Sequence, residues 1–128
     1  NDFIIGDLLL SDYFYGNDKL EGGAGDDLLE GGNGSDLFIF SPSDGNDIIA
    51  KFNLSFNNIY SFKPVGRDFE IDKDKIDLSS FNYNGFEEVL SKIENTEDGH
   101  TEFSDKNCTI LIYDLRVEEL SSDNFILI

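Results

Sequence analysis

The stretch YFYGNDKLE GGAGDDLLE GGNGSDLFI occupies residues 13–39 and divides into three segments of nine residues. Each segment carries a glycine, an aspartate and a large apolar residue at the same places. These are Gly16, Gly25 and Gly34, then Asp18, Asp27 and Asp36, then Leu20, Leu29 and Phe38. The second and third segments match the nonapeptide G-G-x-G-x-D-x-U-x, where U is large and apolar, and the first matches its second half. This repeat predicts the stacked turns of a parallel β-helix.

The residue types in each segment indicate a turn that binds calcium. Glycine adopts the positive φ angles of a tight turn at little steric cost. Backbone carbonyls and one carboxylate form an all-oxygen ligand set, which suits the six to eight ligands of calcium. The apolar residue two places after the aspartate is expected to point inward and form a ladder. A flexible linker, the other interpretation of a glycine-rich and aspartate-rich tract, carries no such ladder.

These segments resemble the RTX family of secreted bacterial proteins, and the resemblance is specific over residues 13–52. It implies an all-β fold, a parallel β-roll of RTX nonapeptide repeats. It also implies calcium ions held between loops two repeats apart by backbone oxygens and two aspartates. Carried over to this chain, the resemblance implies one site formed by Phe14, Gly16, Asp18, Gly31, Asn33 and Asp36.

The resemblance implies a second site that joins the middle repeat to a later turn. Its expected residues are Gly23, Gly25 and Asp27, with Asp47 from the turn at residues 44–47. Because Asp36 and Asp47 are eleven residues apart instead of nine, the register of that later turn stays open.

The middle repeat also has a side that faces an earlier turn. The resemblance assigns Gly22, Ala24 and Asp27 to that side. In residues 1–12, which break the pattern, only Asp12 offers a usable carboxylate.

The length of 128 residues predicts a single domain, with a calcium-binding roll at 1–52 and an insertion and C-terminal cap at 53–128. The net charge is −18, and residues 1–50 hold eleven acidic residues and one base, Lys19. This balance disfavours nucleic acid and anionic membranes as partners. No apolar run is long enough to span a membrane. Twelve phenylalanines indicate a folded core. Bound cations would offset the repulsion among the acidic residues of such a folded chain.

The second half predicts the cap of the roll. RTX proteins often run from an Asp-Phe pair to a DKIDLS-like segment. Here Lys51-Phe52 replaces that pair, Asp68-Phe69 supplies one later, and the residues between them, 53–67, are interpreted as an insertion or covering hairpin. The remaining predicted elements are a strand at 74–81, a short helix with its apolar face at Phe86, Val89, Leu90 and Ile93, and hairpin strands at 101–103 and 108–113 around a turn at 104–107.

The sequence favours a non-catalytic module. Cys108, the only cysteine, lies in an apolar strand pattern and is interpreted as a core residue, and His100, the only histidine, has no partner for zinc. The zinc-protease motif HExxH and the hydrolase motif GxSxG are absent. We expect a calcium-binding roll that folds outside the cell, at the end of a longer secreted or cell-surface protein with an upstream catalytic or adhesive domain.

Two further partners follow from resemblance. The ending VEELSSDNFILI resembles the C-termini of type I secreted RTX proteins, which address the export machinery, although it also reads as a last strand that caps the roll. The domain is similar as well to the R-modules of mannuronan C5-epimerases, which bind alginate. An acidic polysaccharide requires basic residues or shared calcium, and the basic residues that cluster are Lys51, Lys63, Arg67, Lys73 and Lys75.

Overall fold

The computed structural model describes residues 3–5, 16–53 and 63–128. This part of the chain contains twelve short strands and one short α-helix, α1, at Phe86–Leu90. The strands are β1 (Phe3–Ile5), β2 (Lys19–Leu20), β3 (Leu28–Glu30), β4 (Leu37–Ile39), β5 (Gly45–Ile49), β6 (Lys51–Asn53), β7 (Lys63–Gly66), β8 (Lys75–Asp77), β9 (Ile93–Asn95), β10 (Thr101–Asp105), β11 (Cys108–Ile112) and β12 (Phe125–Ile126).

Strands from consecutive repeats alternate between two sheets, so strands two repeats apart lie side by side. One sheet has the order β1-β3-β5-β11-β10-β9 and the other has the order β12-β8-β4-β2. Within the roll the neighbouring strands are parallel, with Leu20 beside Phe38 and Leu29 beside Ile49. This arrangement confirms the predicted all-β parallel β-roll.

The predicted apolar ladder forms the centre of the roll. Leu20, Leu29 and Phe38 are at most 1% exposed, and Ile49 extends the ladder from β5. Side chains alternate between the two faces of a strand, so the residues on either side of each ladder position are more exposed. Burying one such side chain stabilises the fold by about 1.5–3 kcal/mol.

A hairpin interrupts the roll after β5. Its arms, β6 and β7, pair antiparallel with Phe52 beside Pro64 and a bulge next to Lys51. The interpretation as a hairpin is therefore confirmed, although its first arm begins at Lys51. Phe52 is buried while Lys63 and Val65 are exposed, so the hairpin packs with one face only. The tip, residues 54–62, lies outside the described residues.

The cap supplies one parallel strand, β11, to the first sheet and two, β8 and β12, to the second, where β8 pairs with β4. In one sheet β11 pairs with β5, and the antiparallel strands β10 and β9 follow; in the other sheet β12 pairs with β8. The predicted C-terminal hairpin is confirmed, but its turn is shorter than predicted. Ser104 and Asp105 belong to β10, and Lys106 and Asn107 alone form the turn with φ of 50° and 60°. Such positive φ angles at both positions are typical of a two-residue hairpin.

The predicted helix is partly wrong. Helix α1 ends at Leu90, which is 41% exposed, while Val89 is fully buried. Ile93 does not continue the helical face, because it begins β9 and pairs with Phe103 of β10. The apolar spacing is therefore shared between a helix and a strand, and pairing in the sheet decides where the helix ends. No helix in the described residues is long and apolar enough to cross a membrane.

Candidate metal sites between the stacked loops

Loops two repeats apart lie directly on one another, and glycine makes that approach feasible. A Cβ atom at Gly34 would overlap the carbonyl oxygen of Gly16, and one at Gly45 would overlap the carbonyl oxygen of Gly25. Both Gly34 and Gly45 have positive φ, of 106° and 97°. These contacts establish the register of the later turn, which the eleven-residue interval left open. Gly45 lies on Gly25 in the same way as Gly34 lies on Gly16.

The aspartate that ends each loop accepts a hydrogen bond from the loop two repeats earlier. The N–H of Asp18 donates to Oδ1 of Asp36 at 3.0 Å, and the N–H of Asp36 donates to Oδ1 of Asp74 at 2.9 Å. On the other side of the roll, the N–H of Asp27 donates to Oδ1 of Asp47 at 2.9 Å. We call Asp18, Asp36 and Asp74 the first row, and Asp27 and Asp47 the second row.

The second carboxylate oxygen turns back over the first glycine of its own repeat. A Cβ at Gly31 would lie 2.5 Å from Oδ2 of Asp36, and one at Gly22 would overlap Oδ2 of Asp27. Oδ2 of Asp36 is buried and accepts no hydrogen bond from the described residues. A buried carboxylate oxygen in this state is costly, and a bound cation would satisfy it.

Burial raises the pKa of Asp36 in the first row and of Asp47 in the second. The pKa of Asp36 rises to about 7, mainly because the carboxylate is desolvated and further because Asp74 and Asp18 carry like charges nearby. The pKa of Asp47 rises to about 7 for the same first reason, with Asp27 as its nearest like charge. Within the described part of the chain, neither Asp36 nor Asp47 forms an ion pair with a basic side chain. The rows therefore concentrate negative charge that a cation would neutralise.

The donor set fits calcium better than a transition metal. The row residues offer carboxylate and carbonyl oxygens, the hard ligands that calcium prefers. In residues 3–5, 16–53 and 63–128, no three histidine, cysteine, aspartate or glutamate side chains are arranged to hold a metal ion. Completion of each site by backbone carbonyls of the loops remains a prediction from the repeat.

For the first expected site, the structure brings four residues together. Gly16 lies under Gly34, Asp18 donates to Asp36, and Asp36 lies over Gly31. Asn33 is an exposed residue of the same loop as Gly31 and Asp36. Phe14 lies outside the described residues.

For the second expected site, the turn at 44–47 reaches the middle repeat. The N–H of Gly25 donates to the carbonyl of Asp44 at 2.9 Å, and Asp27 donates to Asp47. Gly23 belongs to the same loop and has a positive φ of 77°.

On the opposite side of the middle repeat, Gly22 lies against the Asp27 carboxylate, and Ala24 is exposed. Asp12, the expected carboxylate of the earlier turn, lies outside the described residues. The expectation of a site on that side remains a prediction.

Sequence reasoning missed two aspartates that contact the loop of the third repeat. Asp74 continues the first row although it follows Asp36 by 38 residues. The carboxylate of Asp68 accepts the N–H groups of Gly31 at 2.7 Å and Gly32 at 2.9 Å. The Asp68-Phe69 pair was the available signal, because it restores the Asp-Phe that the sequence lacks at Lys51-Phe52.

A second missed feature lies at the variable position of the repeat. The N–H of Ser35 donates to Oδ1 of Asn17 at 2.8 Å, and the N–H of Asn46 donates to Oδ1 of Asp26 at 2.9 Å. Both bonds are exposed and join loops two repeats apart. A short side chain with an acceptor oxygen at this position therefore helps to stack the loops.

Comparison with known families agrees with this geometry. Residues 13–41 match the family model of the RTX calcium-binding nonapeptide repeat (4 copies). Among curated proteins, none matches the chain. The repeats are thus calcium-binding repeats, as the resemblance implied, and the match covers both the first row up to Asp36 and the second row at Asp27.

Proposed function

We propose that this chain, a β-roll domain with RTX calcium-binding nonapeptide repeats, is a non-catalytic module that folds when it binds calcium outside the cell. The observation that carries the proposal is the burial of Asp36 and Asp47 without a basic partner among the described residues, in a chain with a net charge of −18. Without a cation this arrangement opposes folding by self-repulsion and desolvation.

The proposed ligands are the residues that the repeat pattern assigns. Between the first and third repeats, calcium would be held by Asp18 and Asp36 with loop oxygens. The full proposed set there is Phe14, Gly16, Asp18, Gly31, Asn33 and Asp36. The stacking of Gly34 on Gly16 and the hydrogen bond from Asp18 to Asp36 support this site.

A second proposed site lies between the middle repeat and the turn that follows it. Its ligands would come from Gly23, Gly25, Asp27 and Asp47, and the stacking of Gly45 on Gly25 supports it. Gly22, Ala24 and Asp27 are proposed for a third site toward the earlier turn.

Calcium binding would be coupled directly to folding. The ligands come from loops that are separated in sequence, so the unfolded chain offers no preformed site, and the free energy of binding adds to the free energy of folding. Modules that work outside cells bind calcium with dissociation constants of about 10⁻⁴–10⁻³ M. The domain would therefore stay unfolded where free calcium is scarce and fold where it is millimolar.

Circular dichroism of the 128-residue chain tests the proposal. The expected result is a change from coil to β signal between chelator and about 1 mM calcium, with a higher melting temperature in calcium. Magnesium should substitute poorly, because it requires octahedral geometry and retains its waters. Equal spectra and equal melting temperatures in chelator and calcium would refute the proposal.

The C-terminal segment is proposed to serve both folding and type I export. The side chain of Asn124 donates to the carbonyls of Ile71 and Asp74, and β12 pairs with β8, so the segment caps the roll. In calcium-poor surroundings the segment would be undocked and accessible to the export machinery. A reporter fused to this domain should be exported by a type I system, and deletion of residues 117–128 should abolish export. Export that persists after this deletion would refute this role.

Binding of alginate, as in the epimerase R-modules, is the alternative function and has less support. Three of the five clustered basic residues are engaged within the chain: Arg67 with Glu119, Lys73 with Glu70, and Lys75 with the carbonyl of Asp123. Lys51 and Lys63 remain exposed on the hairpin. Titration of the calcium-loaded domain with alginate oligomers distinguishes the two functions, because a pure folding module gives no binding signal.

A further inference from the structure

The segment after the inserted hairpin holds the loop of the third repeat at both ends. We call residues 68–74 the clasp. At its start, Asp68 accepts the N–H groups of Gly31 and Gly32, and at its end, Asp74 accepts the N–H of Asp36. The loop that begins at Gly31 and ends at Asp36 is therefore bracketed by two carboxylates from a distant part of the chain.

The hydrogen bonds at Asp68 require a carboxylate. Its two oxygens accept from two successive amides, Oδ2 from Gly31 at 2.7 Å and Oδ1 from Gly32 at 2.9 Å. An asparagine side chain has one acceptor oxygen, so its NH₂ group would face one of the two N–H donors. Asp68 is 4% exposed, so water offers little replacement for a lost bond.

Packing of the next residue fixes where the Asp68 carboxylate lies. The ring of Phe69 contacts the ring of Phe38 with centroids 6.0 Å apart, and neither residue is exposed. Phe38 is the ladder residue of the third repeat. The same repeat thus provides the apolar surface that holds Phe69 and the amides that Asp68 accepts.

Gly31 connects the clasp to the first row. Oδ2 of Asp36 lies so close to Gly31 that a Cβ there would be 2.5 Å away. Any shift of the Gly31 backbone therefore changes the space that the Asp36 carboxylate occupies. In the second row the Asp47 carboxylate accepts the N–H of Asp27, as Asp74 accepts that of Asp36, and the N–H of Gly25 donates to the carbonyl of Asp44.

We propose that Asp68 is a positioning residue for the calcium site shared by Asp18 and Asp36, and that it makes calcium affinity in the first row depend on docking of the clasp. The proposal rests on the proposed function above. Asp68 acts through the Gly31 and Gly32 amides, while the site of Asp27 and Asp47 does not depend on it. Hydrogen-bond partners of ligand groups commonly contribute ten- to hundredfold in metal affinity.

Calcium titrations of Asp68→Asn and a control, Asp72→Asn, test the proposal. Asp72 lies in the clasp and is exposed. Both variants are made in the full 128-residue chain and followed by isothermal titration calorimetry and circular dichroism. Asp68→Asn is expected to weaken one class of calcium site by about tenfold or more, while Asp72→Asn matches the unchanged chain.

A double-mutant cycle identifies the affected row. Asp68→Asn is combined with Asp36→Asn in the first row and, separately, with Asp47→Asn in the second. The expected result is strong coupling of Asp68 with Asp36 and additivity with Asp47, because additivity indicates independent sites. A general loss of stability would instead couple equally to both rows. Equal coupling, or equal losses in Asp68→Asn and Asp72→Asn, would overturn the proposal.

A second variant covers the case in which Asp68→Asn does not fold in saturating calcium. Asp68→Glu keeps the carboxylate but shifts it by one methylene, so a smaller loss confined to the first row is expected. An Asp68→Glu protein with unchanged calcium affinity would overturn the proposal. Absence of calcium binding in the unchanged chain is a separate outcome that would refute the proposed function itself.

Discussion

The two rows of aspartates end in different ways. Beyond Asp36 the first row continues into Asp74, whose carboxylate accepts N–H groups from Asp36 and Glu70. Beyond the second row, the turn of the β10–β11 hairpin covers the loop, and the N–H of Gly45 donates to the carbonyl of Asn107 at 3.2 Å. One row is therefore closed by buried charges and the other by neutral carbonyls.

This difference shows that the same repeat is compatible with two kinds of boundary. The clasp provides Asp74 of the first row and the neighbouring Asp68, and burial raises the pKa of Asp68 to about 7 and that of Asp74 to about 6. Where β11 of the β10–β11 hairpin pairs with β5, it adds no carboxylate to the second row, and Ile110 lies beside Asp47. Calcium and pH should consequently act more strongly on the first row.

The largest expected effect comes from breaking the close approach of loops in the first row. Gly34→Ala would place a Cβ against the Gly16 carbonyl and would strain a φ of 106°. We expect a loss of about 3 kcal/mol or more in the free energy of unfolding. Gly23→Ala is the matched control, because its φ is also positive, at 77°, but the space around it is open.

Urea denaturation in saturating calcium measures both variants. Gly23→Ala should lose about 1 kcal/mol, the cost of the backbone conformation alone. Equal losses in the two variants would show that backbone strain, and not contact between the loops, limits the first row.

Removing one carboxylate from each row is expected to have the next largest effect. Asp36→Ala should raise the calcium midpoint for folding more than Asp27→Ala. The Asp36 carboxylate accepts the N–H of Asp18, and the backbone N–H of Asp36 donates to Asp74 of the clasp. A lost hydrogen bond to a charged group costs about 1.5–3 kcal/mol, or roughly ten- to hundredfold in the midpoint. Calcium titrations followed by circular dichroism compare the two. A larger shift for Asp27→Ala would reverse the proposed ranking of the rows.

The pH dependence should change sign when calcium is removed. Asp36, Asp47 and Asp68 have a folded pKa of about 7, against about 3.9 in an unfolded chain. Without calcium the folded state binds more protons, so this stability is complete below about pH 3.9 and is lost as pH rises through about 7. With calcium the carboxylates must ionise to bind the ion, so the midpoint should improve as pH rises.

Circular dichroism at pH 5, 6, 7 and 8 measures the two trends, as the folded fraction in chelator and as the calcium midpoint for folding. Opposite slopes are expected, and Asp36→Asn should flatten the slope in chelator more than the control Asp72→Asn. Slopes of the same sign in the two buffers would contradict the assignment of these aspartates to calcium.

The smallest expected effect is at the variable position of the repeat. Asp26 occupies a variable position of the nonapeptide, which by itself predicts almost no effect for Asp26→Ala, but Oδ1 of Asp26 accepts the N–H of Asn46. The bond is exposed, so its loss should cost about 0.5 kcal/mol, or about twofold in the calcium midpoint. Asp26→Asn keeps an acceptor oxygen and should match the unchanged chain. A tenfold shift in Asp26→Ala would assign Asp26 to the metal site and displace the ligand register.

Features that repeat every nine residues were predictable because each depends on a few neighbouring residues. The ladder of Leu20, Leu29 and Phe38 followed from the spacing of apolar residues, and the calcium-binding turns followed from glycine and aspartate chemistry. Cys108 is 1% exposed in β11, which confirms its interpretation as a core residue. His100 stacks on Tyr113 and accepts the N–H of Asp114, contacts that no local pattern indicated.

The helix shows where local patterns stop being sufficient. Phe86, Val89, Leu90 and Ile93 have helical spacing, yet the helix has only five residues. A short helix is marginal without tertiary packing, and residues 93–95 gain sheet hydrogen bonds by pairing with β10. Pairing with β10 therefore decides between helix and strand at residues 93–95. The spacing of the apolar residues carries no information about that pairing.

The repeat period alone specifies the roll, its apolar interior and the calcium-binding turns, because each turn is built from residues close together in the chain. The closure of the first row depends on residues that meet across 37 or 38 positions, as Asp68 meets Gly31 and Asp74 meets Asp36. Those contacts form because Phe69 packs on Phe38 after the hairpin returns the chain to the roll. Loop-closure entropy rises slowly with length, so the length of the insertion places little constraint on where the chain returns. The packing of Phe69 on Phe38 selects that place, and this packing exists only in the folded molecule.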